Sequence, residues 1–479
     1  MRIINRFLFA ILLSLVFLSS LYATGKWKLK TELFIESDLV VPVDIDEDGI
    51  DELVMKVECQ YLIRNQKGIL IEDILFDGNN YLINGGFDLD NEPPKELVFQ
   101  INKEGTIYSY ISDNREVRDN FKLYIGKDIS PPEGYKGGCA KLKASDLNGD
   151  GFKELVYFIR TGYDIRPRGV LVYDYHNKKE LWHTWVGGNP YGGFLFSLSL
   201  DNTTECRDKR IVFGTAGHCN GGFANGIDDS LAYVIMMDNK GNIKWKKCIG
   251  DRSTVAIPCC ADIDMDGQVE VIVIEEKGLA DNTEPSSLFI LNGLTGEVER
   301  YINTGEKFLG IKVCDYNRDG RLEIITGNTD GKIRVFNDSL NQIQETSFST
   351  SVKILSVCDF DGNGTNEILL SSRNSEVFIL NEQLQTILDE KVMPETNFAN
   401  ADIVNCGRKK KLLLKVKSDN ISSYKLMSIV PVSPLGQRKS LIIILIVVSL
   451  LVLGGVIFRV IYFVHTTKRI KNIRRAANI

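Results

Sequence analysis

The chain has 479 residues, a formal net charge of −6, 44% hydrophobic and 25% charged residues. That balance belongs to a folded protein, and an acidic chain whose one basic concentration is at its very end is not a general nucleic-acid binder. Between its two apolar ends the histidines are His176, His183 and His218, and without a nucleophile elbow, zinc motif or phosphate loop the sequence reads as non-catalytic.

In chain order, the first element is a signal peptide over residues 1–23. Arg2 and Arg6 precede an apolar run from Phe7, and the small-residue segment SSLYATG follows, with cleavage after Ala23 or, alternatively, retention as an uncleaved anchor. Residues 26–36, GKWKLKTELFI, read as a strand. After it comes a short acidic loop that recurs: DIDEDGIDEL at 44, DLNGDGFKEL at 146, DIDMDGQVEV at 262, DYNRDGRLEI at 315 and DFDGNGTNEI at 359. Each runs into a β-branched or leucine-rich stretch.

The repeat at 353–391 shows the order. KILSVCDF is a strand, DGNGTN a loop, and EILLSSR, EVFILN and LQTILDEK are three further strands. Short strands separated by turn residues indicate antiparallel β structure. Aligning on the first loop residue gives Asp44, Asp88, Asp146, Asp201, Asp262, Asp315, Asp359 and Asp402, spaced 43 to 61 residues apart. Such a period with four strands per unit predicts an all-β fold, a β-propeller over residues 24–430. The last unit has strands near 397–404, 411–418 and 422–429 and lacks a fourth, which 26–36 would supply. This count gives eight blades. Seven is the rival, because the Asp201 and Asp402 units are degenerate.

Oxygen-bearing side chains fill positions 1, 3, 5 and 9 of the loops: Asp44, Asp46, Asp48 and Glu52; Asp146, Asn148, Asp150 and Glu154; Asp262, Asp264, Asp266 and Glu270; Asp315, Asn317, Asp319 and Glu323; Asp359, Asp361, Asn363 and Glu367. Glycine at position 6 permits a sharp turn, and backbone carbonyls at position 7 (Ile50, Phe152, Gln268, Arg321, Thr365) can add a ligand. Turn formation alone does not explain crowded carboxylates, which disfavour one another unless a cation joins them. Six to eight hard oxygens select calcium over magnesium. Position 12 is Met55, Tyr157, Val273, Thr326 or Leu370, so the bidentate glutamate of an EF-hand is missing. DLDNEPPKE at 88–96 puts proline where glycine should stand and is set apart from the five complete loops; the Asp201 and Asp402 units are read as having lost the ion.

These loops resemble the FG-GAP or VCBS-type propeller repeats of integrin α-subunit heads and many bacterial surface proteins. The resemblance covers nearly all of residues 27–430. It implies the propeller fold and calcium, with ITGN at 325–328 and FGTAG at 213–217 standing at the family's glycine-bearing second strand. The full Phe-Gly and Gly-Ala-Pro signatures are absent, and nothing resembles integrin leg domains.

Strand parity places the acidic loops on one face and most long insertions on the other: 161–169, 214–230 and 275–287 after second strands, and 126–138 and GGNPYGG at 187–193 between blades. Long loops on a rigid scaffold are where binding resides. Tyr163, Arg166, Arg168, Tyr191, His218, Asn220 and Asp228 are the candidate contacts for a protein or glycan ligand. Cys260, Cys314 and Cys358 precede successive loops and read as buried free thiols, while Cys206 and Cys219 are the best disulfide candidate.

A linker at 431–440 leads to LIIILIVVSLLVLGGVIFRVIYFV at 441–464, long enough to cross a bilayer. The basic tail at 465–479 predicts a cytoplasmic end, with the propeller outside. The function read from this layout is recognition or adhesion by a membrane-anchored propeller. The alternative is the sensor part of a signalling receptor, such as a histidine kinase, with a separate cytoplasmic partner.

Overall fold

A computed structural model describes residues 26–431 apart from 58–59, 76–80, 104–105, 114–115, 126–137, 162–165, 198–208, 278–284, 394–396 and 419–420, together with Thr467. The signal peptide, the span at 441–464, Tyr163, Asp201 and Cys206 lie outside the described residues. Among the described residues no helix is long and apolar enough to cross a membrane. Trp27–Val430 form one compact unit.

That unit is built of antiparallel strands. Among the described residues there are six four-stranded sheets, an eight-stranded sheet and a two-stranded hairpin. The eight-stranded sheet is two four-stranded units that share the single pair Ala216↔Val255. In the last complete repeat, Val352–Cys358, Glu367–Ser372, Glu376–Leu380 and Thr386–Lys391 pair in chain order, with Cys358 opposite Glu367 and Leu369 opposite Ile379.

Packing explains the hydrophobic patterns. The second strands Glu323–Asn328 and Glu367–Ser372 are buried at every residue, because each sheet has a neighbour on both faces. The fourth strand Gln342–Ser347 alternates between exposed and half-buried residues at the rim. Among the described residues there are eight apolar clusters, each joining residues of two four-stranded units that follow one another in sequence. One of them joins the end of the unit to its beginning: Val404, Leu413 and Leu426 pack with Val40, Leu53 and Met55. The first strands contact one another in the same cycle, and Asn400–Cys406 contacts Leu39–Val43. The strand Trp27–Glu36 pairs with Ile421–Pro431, completing the sheet that also holds Lys409–Ser418 and Asn400–Cys406. This is the closure expected from the three-stranded last repeat. Closing the ring removes the edges an open array would expose.

The glycines of the second strands permit close approach. A Cβ at Gly327 would stand 2.7 Å from the carbonyl oxygen of Val352 in the next sheet, and one at Gly214 would collide with the Ala256 carbonyl. Two expectations need correction. GGNPYGG is not an inter-sheet loop, since Asn189–Ser197 is the first strand of its sheet. Asp402 opens no acidic loop; it lies mid-strand opposite Leu413, and the chain turns at Gly407.

Candidate metal centres and the opposite face

Each complete acidic loop joins a first strand to a second, and its shape is set by backbone N–H groups bonding to its own side chains. The first-position aspartate accepts from the sixth-position glycine: Gly49 to Asp44, Gly151 to Asp146, Gly267 to Asp262, Gly320 to Asp315 and Gly364 to Asp359, at 2.7 to 3.2 Å. The fifth-position side chains of Asp48, Asp150, Asp266, Asp319 and Asn363 accept from the seventh-position N–H of Ile50, Phe152, Gln268, Arg321 and Thr365. These glycines lie at φ between +83° and +91°. A Cβ at Gly151 would meet nothing within 4 Å, so its requirement is conformational.

The ninth position is the anchor. Its glutamate Oε2 accepts the N–H of the second loop residue: Ile45 to Glu52, Leu147 to Glu154, Ile263 to Glu270, Tyr316 to Glu323 and Phe360 to Glu367, at 2.6 to 3.3 Å. All five glutamates are buried. Burial first, then the neighbouring loop carboxylates, pushes each carboxyl up to about 7, against the opposing backbone hydrogen bond.

Four loops bring three carboxylate oxygens within 4.8 Å of one another, a spacing that suits a metal ion: Asp44, Asp46 and Asp48; Asp146, Asp150 and Glu154; Asp262, Asp264 and Glu270; Asp359, Asp361 and Glu367. Asp44 Oδ1, Asp264 Oδ1 and Asp315 Oδ1 are buried without a hydrogen-bond donor. Buried, unpartnered carboxylate oxygens are what a cation would satisfy, so the residues fit one. In the 315 loop the Asn317 amide lies between Asp319 and Glu323, at 3.2 Å from each.

The 88–96 loop, set apart in the sequence, keeps the same frame. Leu89 donates to Glu96 Oε2 at 2.6 Å, Glu96 is fully buried with its carboxyl pushed up to about 7, and its Oε1 has no donor. Here a lysine ammonium already meets the first aspartate: Lys153 Nζ lies 2.9 Å from Asp88 Oδ2. Lys153 is the eighth residue of the following loop, and other eighth residues also contact the preceding repeat. Lys95 donates to the Asp44 carbonyl at 2.8 Å, and Asn366 to that of Asp315 at 3.1 Å. At ring closure the Asp51 carboxylate accepts from the Asn405 N–H at 2.6 Å. Sequence reading missed these links; the recurring polar eighth position was the available signal.

The insertions meet at the other end of the strands. Arg168, an expected ligand contact, is instead fully buried. It donates to the Gly187 carbonyl at 2.9 Å, Asp229 Oδ2 at 3.2 Å, Asn220 Oδ1 at 3.3 Å and Thr161 Oγ1 at 3.2 Å. It therefore ties two neighbouring sheets together and does not face a ligand. Arg166 donates to the Asn220 carbonyl at 3.3 Å. Asp228 accepts from Ser230 N–H at 2.8 Å, shaping its own turn. Tyr191 lies under Arg160, whose guanidinium sits 4.1 Å from the ring centroid. His218 is half-buried, and burial together with Arg168 and Arg160 holds its pKa below the usual value. Arg160 and Asp229 were not foreseen. Of the cysteines, Cys219, Cys260, Cys314 and Cys358 are free, and the last three are half-buried.

No family model matches this chain, and no curated protein matches it. Solved structures do. Sqt1 of Saccharomyces cerevisiae superposes with a TM-score of 0.51 at 10% identity, over 85% of this chain and 99% of that one. The Dos1 propeller superposes with a TM-score of 0.50 at 11% identity, over 84% and 94%. The fold is a β-propeller. At such identities the likeness extends to the fold alone.

Proposed function

We propose that residues 24–430 form an eight-bladed, calcium-stabilised propeller of the FG-GAP or VCBS type, a non-catalytic recognition module carried outside the membrane. The signal segment at 1–23 exports it, the span at 441–464 anchors it, and the basic tail is cytoplasmic. A protein or glycan ligand binds on the face opposite the acidic loops. Eight inter-sheet apolar clusters and the cycle of first-strand contacts support eight blades over seven.

The observation that carries the calcium reading is the convergence of three carboxylate oxygens in each of four loops of one geometry, with a buried, unpartnered oxygen on Asp44 and on Asp264. Asp44, Asp46, Asp48 and Glu52 with the Ile50 carbonyl, and the matching residues of the other four loops, would hold the ion. Bound calcium supplies the positive charge that lets these carboxylates stay ionised while buried. The protein fixes the loop through the position-1 and position-9 hydrogen bonds. Position 9 also pins the loop to the buried second strand, so binding couples to sheet packing.

The course of the chain supports the reading of recognition on the opposite face. The strand Ile421–Pro431 ends, and Trp27–Glu36 begins, at the acidic-loop end of their sheet. Both ends of the compact unit therefore lie at the end of the sheet away from the insertions. The deciding experiment is thermal unfolding of the full chain in detergent, with chelator and then with calcium or magnesium. Calcium should restore a melting temperature that chelation lowers, and magnesium should do so less well. Melting indifferent to chelation would end the calcium reading.

A further inference from the structure

We propose that the seam between the sheets at 138–185 and 189–250, on the face opposite the acidic loops, is a binding site for a carboxylate-bearing ligand, with Arg160 as the contacting guanidinium. This rests on the recognition reading above and names the chemistry its ligand must carry. Arg160 ends the second strand of one sheet, and Tyr191 lies in the first strand of the next. Their cation–π contact at 4.1 Å, and a hydrogen bond from Arg160 to the Tyr191 hydroxyl, fix the guanidinium plane. Arg160 is exposed, and among the described residues it has no carboxylate partner. A guanidinium held in place and open to solvent is organised for bidentate bonding to a planar carboxylate.

The surroundings reinforce that charge. In the same seam the Arg168–Asp229 pair is closed to solvent, so Asp229 is already matched by a guanidinium. Arg166 brings a further guanidinium to the Asn220 carbonyl. Burial, and then the charges of Arg168 and Arg160, hold the His218 pKa below its usual value, in keeping with a positive local field. Glu276, an acid whose charge reaches Tyr191, is already 3.7 Å from Lys307. A chain of net charge −6, with its acids crowded at the other face, thus holds a local positive site here.

The test is calorimetric titration of the full chain in detergent with D-glucuronate and with N-acetylglutamate, beside their uncharged counterparts glucose and N-acetylglutamine. These arms separate a sugar acid from an amino-acid carboxylate. Binding of at least one acid, with its neutral counterpart about tenfold weaker or more, is the expected result. Arg160→Gln should weaken that binding by about tenfold or more while leaving the melting temperature unchanged. Tyr191→Leu, which removes the platform and keeps the charge, should weaken it as well. Equal binding of acid and neutral forms, no binding of either acid, tighter binding of inorganic phosphate, or indifference to Arg160→Gln would overturn the proposal. The same protein is also probed with arrays of uncharged glycans and peptides. Binding there that ignores Arg160→Gln leaves the recognition reading standing and removes only the carboxylate site. No binding of any probe removes both.

Discussion

Burial of Glu154 beside Asp150 and Asp146 pushes its carboxyl up to about 7. Without a cation, the folded protein therefore keeps a proton that the unfolded chain, with a carboxyl near 4.5, has released. A raised carboxyl pKa means that stability falls as pH rises from about 4.5 through about 7. Glu52, Glu96, Glu270, Glu323 and Glu367 share the shift, so the loops act in concert. In chelator, the melting temperature should drop between pH 5 and pH 8, and saturating calcium should flatten or reverse that drop. Glu154→Gln removes the proton and the charge. It should raise the melting temperature in chelator at pH 8 and reduce the gain on adding calcium. Gly151→Ala tests the backbone separately: φ of +91° in open space should cost about 1–2 kcal/mol, read by urea unfolding.

Among the elements, the seam that closes the ring is the most informative. Leu413 is fully buried there with Val40, Leu53 and Leu426. Leu413→Ala should cost about 2–5 kcal/mol, whereas substituting the exposed Leu294 by serine should stay within about 0.5 kcal/mol. Removing residues 27–36 should cost more than one side chain, because it strips the outer strand from the last sheet and bares Ile421–Pro431 as an edge. Loss of a single cooperative transition, or aggregation on mild heating, would report it. The strands were legible because apolar residues recur between turn residues. Their burial on both faces followed from the repeat period and not from any single strand, since a run such as Glu367–Ser372 looks the same in a sandwich as in a stack of sheets.

For the whole molecule, the calcium sites proposed at one end of the ring predict a stability that depends on ions. An ion bound by the native state alone adds about 2.7 kcal/mol per site at a hundredfold excess over Kd. Ions in the five complete loops should therefore give a chelator-induced fall in melting temperature that grows with the number of intact loops. Asp150→Ala should remove one share of it and Arg160→Gln none. The links between loops, Lys153 to Asp88 and Lys95 to the Asp44 carbonyl, join neighbouring repeats. Lys153→Met should weaken the coupling between those repeats and release Asp88 for cation binding, visible as an added calcium equivalent by calorimetry.

The sequence by itself determined what is local. A nine-residue loop with its carboxylates, glycine and anchoring glutamate carries its own geometry, because its donors and acceptors lie within seven residues of one another. Repetition of that loop gave the sheets, and the missing fourth strand of the last repeat gave the closure. What only the tertiary structure decided depends on which strand end meets which neighbour. Arg168 looked like a loop residue free to contact a ligand, yet Asp229, 61 positions away, draws it into the seam. Arg160 was not singled out in the sequence, yet Tyr191 of the next sheet makes it a fixed, solvent-facing guanidinium. Charge pairing across sheets depends on distance in space, and spacing along the chain does not encode it.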